Sequence, residues 1–108
     1  MTYKNLVLVG FSQGAMVALD LGLHGKNSPS GIIAYSGAYI PQEKSIPKKT
    51  PILLVHGKED TIVPFQASEM SYDILKGSDV QLHLLEKLNH SIDDRGLDLG
   101  LNFIQKNL

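Results

Sequence analysis

Cysteine is absent from the 108 residues. That excludes a disulfide framework, a thiolate metal site and a cysteine nucleophile, and it suits a reducing, cytoplasmic location. An excess of charge is also missing: 10 Lys and Arg against 11 Asp and Glu leave a formal net charge of -1, with a pI near 6.4. No basic field exists to hold nucleic acid or an anionic membrane surface. No apolar run approaches the roughly 20 residues needed to cross a bilayer, so stable membrane insertion is not expected. The opening Met1 to Asn5 leads into a very short apolar stretch and then Gly10, which is not the longer apolar core of a secretory leader. Repeats, low-complexity tracts, a P-loop, a dinucleotide fingerprint and histidine pairs at metal-ligand spacing are lacking as well. Neither a metal nor a cofactor is expected.

What is present fits one small globular domain over residues 1–108, with 43% hydrophobic and 19% charged residues; a domain of this size hides about two thirds of its unfolded surface. Leu6 to Val9 is a continuous apolar run ended by Gly10, the habit of a strand buried on both faces in a parallel sheet. Gln13 to Leu23 has helical composition, and Gly14, Ala15 and Ala18 are small enough to lie close on a sheet. Gly22, Gly25, Asn27 and Ser28-Pro29 mark its end. Ile32 to Tyr35 and Ile52 to Val55 are two more apolar strands. The Lys- and Pro-rich stretch from Pro41 to Pro51 between them is too short to separate domains.

Pro64 suits the first turn of a helix in which Phe65, Ser68 or Glu69, Tyr72 and Leu75 recur at helical spacing, with Gly77 as its C-terminal cap. Val80 to Leu84 alternates apolar and polar, as a strand near a sheet edge does. Ser91 with Asp94 resembles a capping box, and Asp93 adds favourable charge there. Leu97, Leu101, Ile104 and Leu108 form a stripe on the last helix. Strands alternating with crossover segments indicate an α/β domain with a mostly parallel sheet.

Gly10-Phe11-Ser12-Gln13-Gly14 matches G-x-S-x-G. As a bare string it is a weak signal, since a Gly/Ser turn can join a strand to a helix with no chemistry. Here an apolar strand ends at Gly10 and a helix begins just after Ser12, the setting of a nucleophile elbow. Such a turn strains the serine and exposes its hydroxyl, and glycines at both ends are expected because a Cβ there would collide with strand or helix. The helix N-terminus points its dipole at a developing oxyanion.

A serine hydroxyl needs a base, usually histidine. Of the 4 histidines, His24 follows a helix in a polar segment and reads as solvated. His83 lies on the outward side of the alternating strand. His56 ends the third strand and reads as a hydrogen-bonded structural residue. His90, between the last strand and the last helix, follows a strand-end acid in the order Ser…Asp…His. Asp60, in His56-Gly57-Lys58-Glu59-Asp60, is that acid and can hold the imidazole tautomer. Glu59 is its neighbouring alternative, while helix capping accounts for Asp93 and Asp94.

Gly10 through Met16, Tyr35-Ser36-Gly37, Pro51 through Gly57 with Asp60-Thr61-Ile62-Val63-Pro64, and Asn89-His90 together resemble the phospholipase/carboxylesterase family, which includes acyl-protein thioesterases and lysophospholipases. The resemblance runs from about Leu6 to the C-terminus. It implies the C-terminal half of an α/β-hydrolase fold, a mostly parallel sheet of about four strands flanked by helices. It implies Ser12 as nucleophile, His90 as general base, Asp60 as its orienter and the Gln13 backbone N–H as one oxyanion donor. Small esters, thioesters or lysophospholipids would be the substrates, and no cofactor would be needed. The family pattern also contains upstream strands and a Gly-containing loop that supplies a second oxyanion donor. Without them the activity is expected to be weakened. Leu6 to Val9 then becomes an apolar sheet edge, and a homo-oligomer joined through it is expected.

Overall fold

The computed structural model of the protein describes residues 5–42 and 47–108. Met1 to Lys4 of the opening segment, and residues 43–46 within the stretch from Pro41 to Pro51, lie outside the described residues. The elements are β1 (Val7–Phe11), α1 (Gln13–His24), β2 (Gly31–Tyr35), β3 (Ile52–Gly57), α2 (Gln66–Leu75), β4 (Val80–Leu85) and α3 (Asp94–Asn107). All four strands are parallel and stand side by side in chain order. Together with α1, α2 and α3 they form an α/β layer arrangement, the one expected for half of an α/β-hydrolase fold.

The two-residue period of the strands divides the core into two layers. Ile32, Ala34, Ile52 and Leu54 point to one side and pack with Ala15, Ala18, Leu19 and Leu23 of α1 and Leu75 of α2. Ile33, Tyr35, Leu53 and Val55 point to the other and pack on Phe103 of α3. β2 and β3 are buried along their whole length, as their unbroken apolar runs anticipate. Each fully buried Leu or Ile contributes about 1.5–3 kcal/mol relative to exposure, so the two central strands anchor the sheet.

β1 and β4 are the outer strands of this sheet. β1 runs from Val7 to Phe11, one residue later than the apolar run suggests at its start and two later at its end. Phe11 still pairs with Tyr35, so the strand continues up to Ser12. β4 is half-buried at every position rather than wet on one side. Its register with β3 puts His83 beside Val55 on the α3 face, where it is half-buried and not exposed.

Three helix details differ from the sequence reading. The N-cap of α3 is Asp93, whose side chain accepts from the Gly96 N–H, and not Ser91. Gly77 does not close α2 in a left-handed conformation: Lys76 is the C-cap in right-handed geometry and no described glycine has positive φ. The face that α3 buries consists of Gly96, Gly100 and Phe103, whereas Leu97, Leu101 and Leu108 are exposed. The small residues let the helix approach Tyr35, whose hydroxyl donates to the Gly96 carbonyl at 2.8 Å. Among the described residues no helix is long and apolar enough to cross a membrane.

Candidate active site

β1 delivers Ser12 into a turn tight enough to force its backbone to φ 57 and ψ -120. A positive φ is costly for a residue with a Cβ and persists only where surrounding bonds hold it. Those bonds are present. The Ser12 N–H donates to the Tyr35 carbonyl at 2.8 Å, and the Ser12 carbonyl accepts from Ala15 and Met16. Gly10 is required because a Cβ there would stand 2.2 Å from the Gly14 carbonyl oxygen. Gly14 is not required: a Cβ there meets nothing within 4 Å, and its φ is not positive. The expectation of an obligatory glycine at both ends of the turn therefore holds only at the strand end.

Asp60 follows β3, and its side chain has no solvent exposure. One carboxylate oxygen, Oδ1, accepts the backbone N–H groups of Ile62 at 2.9 Å and Val63 at 2.8 Å. The other, Oδ2, lies 2.7 Å from His90 Nδ1. Burial by itself would raise this carboxyl's pKa. The hydrogen bond from His90, those from Val63 and Ile62, and the attraction of His90 outweigh burial and hold it below the ordinary carboxylate value.

His90 reaches the same place from the loop after β4. Leu88 is buried, and its carbonyl accepts the Glu59 N–H at 2.9 Å. That bond stitches the His90 loop to the Asp60 loop. Gly57 permits the approach, since a Cβ there would lie 2.2 Å from the Leu88 carbonyl oxygen. His90 Nε2 lies 3.0 Å from Ser12 Oγ. An ionised carboxylate can only accept, so His90 carries its proton on Nδ1 and turns the Nε2 lone pair toward the serine hydroxyl.

Ser12, His90 and Asp60 are thus brought into one chain of hydrogen bonds across 78 and 30 residues of sequence. Gln13 is the first residue of α1, where a backbone N–H has no intrahelical acceptor and is free to face an anion. Glu59 is exposed, and only its backbone takes part. Asp93 pairs with Arg95 at 2.7 Å. His24 is not simply solvated: it is half-buried, with Nε2 2.6 Å from the Tyr39 hydroxyl.

Two further groups act on the site from positions with little sequence signal. The Phe11 ring packs against the His90 imidazole with centroids 4.8 Å apart; a strand-end aromatic carries no signal for this. The Ile62 and Val63 N–H groups grip Asp60, and an Asp followed by a turn signals this local bonding. Among the described residues no group of three or more His, Asp or Glu side chains is arranged to hold a metal ion.

Residues 1–108 match the profile of the phospholipase/carboxylesterase family. The chain is 32% identical to Esterase YpfH of Escherichia coli over 91% of its own length and 43% of that protein's. It is also 32% identical to acyl-protein thioesterase 1 of Yarrowia lipolytica, over 97% of this chain and 51% of that one. The crystal structure of esterase PE8 superposes with a TM-score of 0.87 at 41% identity, covering 94% of this chain and 50% of that one. The chain spans about half the length of the relatives it matches.

Proposed function

The chain belongs to the phospholipase/carboxylesterase family, and from that premise we propose that it acts as a serine hydrolase of carboxylic esters or thioesters. The observation that carries the proposal is the continuous path from Ser12 Oγ through His90 Nε2 at 3.0 Å and His90 Nδ1 to Asp60 at 2.7 Å. In this reading Ser12 Oγ attacks the acyl carbon while His90 Nε2 takes the hydroxyl proton. Asp60 holds the imidazole tautomer and stabilises its cationic form. The carbonyl oxygen, now negative, receives the Gln13 N–H at the head of α1. Collapse breaks the C–O or C–S bond, and His90 gives its proton to the departing alcohol or thiol. Water then attacks the acyl-enzyme by the same route, releasing the acid and restoring the Ser12 hydroxyl.

The substrates proposed are small esters, thioesters and lysophospholipids, because the relatives are named esterases and acyl-protein thioesterases. A cytoplasmic location belongs to the same proposal. Tested as these 108 residues, with one oxyanion donor assigned, turnover is expected to be weak. Loss of one such donor costs about 3 kcal/mol, or a few hundredfold in rate. The test is p-nitrophenyl acetate hydrolysis by wild type and Ser12→Ala. Release of p-nitrophenol above background that disappears in the variant supports the reading; equal rates overturn it.

A second reading is carried by the sheet edge. β1 is an outer strand, with Val9 56% and Phe11 38% exposed. Beside it lies a groove of about 300 Å³ lined by Val9, Ile92, Leu97, Leu101 and others. An apolar outer strand is a template for pairing. A second copy joined there, making one continuous sheet, is proposed as the resting state. Self-association without catalysis is the corresponding alternative function. Light scattering at the mass of a dimer supports self-pairing; a monodisperse monomer overturns it.

A further inference from the structure

His56, on β3, has no solvent exposure. A buried imidazole is costly unless both ring nitrogens are bonded, and here both are. Nδ1 lies 2.6 Å from Ser68 Oγ on α2, and Nε2 lies 2.7 Å from the Val63 carbonyl. That carbonyl only accepts, so Nε2 carries a proton. The same nitrogen lies 3.2 Å from Asp60 Oδ2, the oxygen that accepts from His90.

We propose that His56 is a positioning residue for Asp60, so that one carboxylate is shared between two imidazoles. The inference deepens the hydrolase reading and rests on it for its kinetic consequences. Asp60 Oδ1 is held by two backbone N–H groups, while Oδ2 faces His90 on one side and His56 on the other. Rotation of the carboxylate about its own bond would break contacts on both oxygens. Val63 closes the arrangement, because its N–H donates to Asp60 and its carbonyl accepts from His56. Ser68 extends it: its hydroxyl has the His56 ring at 2.6 Å and the Gly37 carbonyl at 3.3 Å. Helix α2, which contributes no side chain to the reacting atoms, is thereby coupled to the orientation of His90.

The test compares His56→Gln with His56→Asn. The Gln amide reaches the position of Nε2 and keeps a donor toward Val63 and Asp60. The Asn amide reaches only the position of Nδ1. The Asn variant is expected to lose about ten- to a hundredfold in kcat with little change in KM, as small misplacements of a catalytic group do. The Gln variant is expected to recover most of that loss. A folded Asn variant with wild-type kcat, or a Gln variant as poor as Asn, overturns the proposal.

Two proton NMR measurements decide the matter without turnover. In wild type the His56 proton is expected on Nε2; a proton found on Nδ1 alone overturns the proposal even if no variant folds. The His90 Nδ1 proton is expected to keep its low-field position in the Gln variant and to move in the Asn variant. An unmoved resonance overturns positioning. If it moves while wild type hydrolyses no ester, positioning stands and the hydrolase reading is the one that fails.

Discussion

Asp60 accepts hydrogen bonds from Ile62, Val63 and His90, and this set fixes both its ionisation and its consequences. Its pKa is depressed in the folded state. The stabilisation it gives is therefore fully present above the unfolded carboxyl pKa of about 3.9, and is lost as pH falls from there through the folded value. Denaturant melts should show a loss of stability below about pH 4, and Asp60→Asn should remove its portion of that decline. The same substitution presents an amide to His90 Nδ1 and favours the wrong tautomer. Ester hydrolysis should fall about 10⁴-fold with the fold retained. Asp60 was legible from its place after a strand and before His90. Its partnership with His56 was not, because chain order says nothing of which side chains meet behind a loop.

At the scale of elements, the elbow between β1 and α1 was legible because a buried strand, a G-x-S-x-G string and a helical composition coincide. Its two glycines are nevertheless unequal. Gly10→Ala should destabilise the fold by about 1–3 kcal/mol or more, since its Cβ would meet backbone at 2.2 Å. Gly14→Ala should be neutral or stabilising by up to about 1 kcal/mol, because the space is open and alanine is the better helix former. Thermal unfolding of the two variants checks both signs. Helix α3 marks the limit of pattern reading. The Leu97, Leu101, Ile104 and Leu108 stripe is real, yet Gly96, Gly100 and Phe103 face the sheet. Hydrophobic period identifies a helix face but not its neighbour, and the close approach of Tyr35 selects the face built from small residues.

At the scale of the whole molecule, four parallel strands were legible because three are continuous apolar runs, Leu6 to Val9, Ile32 to Tyr35 and Ile52 to Val55, and the fourth, Val80 to Leu84, alternates apolar and polar residues. Their order was legible only in part. The exposed side of β1 and the groove formed by Val9, Leu97 and Leu101 coincide at one edge, which is where the proposed second copy would extend the sheet. Under that proposal Val9→Lys should shift the dimer toward monomer in sedimentation velocity while leaving Ser12 and His90 in hydrogen-bonding reach. An unchanged dimer would exclude this edge as the contact.

The most direct measurement is intact-mass analysis after treatment with a fluorophosphonate, which phosphonylates a serine only when an adjacent base activates it. A single adduct on wild type, mapped to Ser12 and lost in both Ser12→Ala and His90→Ala, is the expected result. A wild-type chain that stays unmodified, or one labelled equally after His90 is removed, would contradict an activated serine at the end of β1.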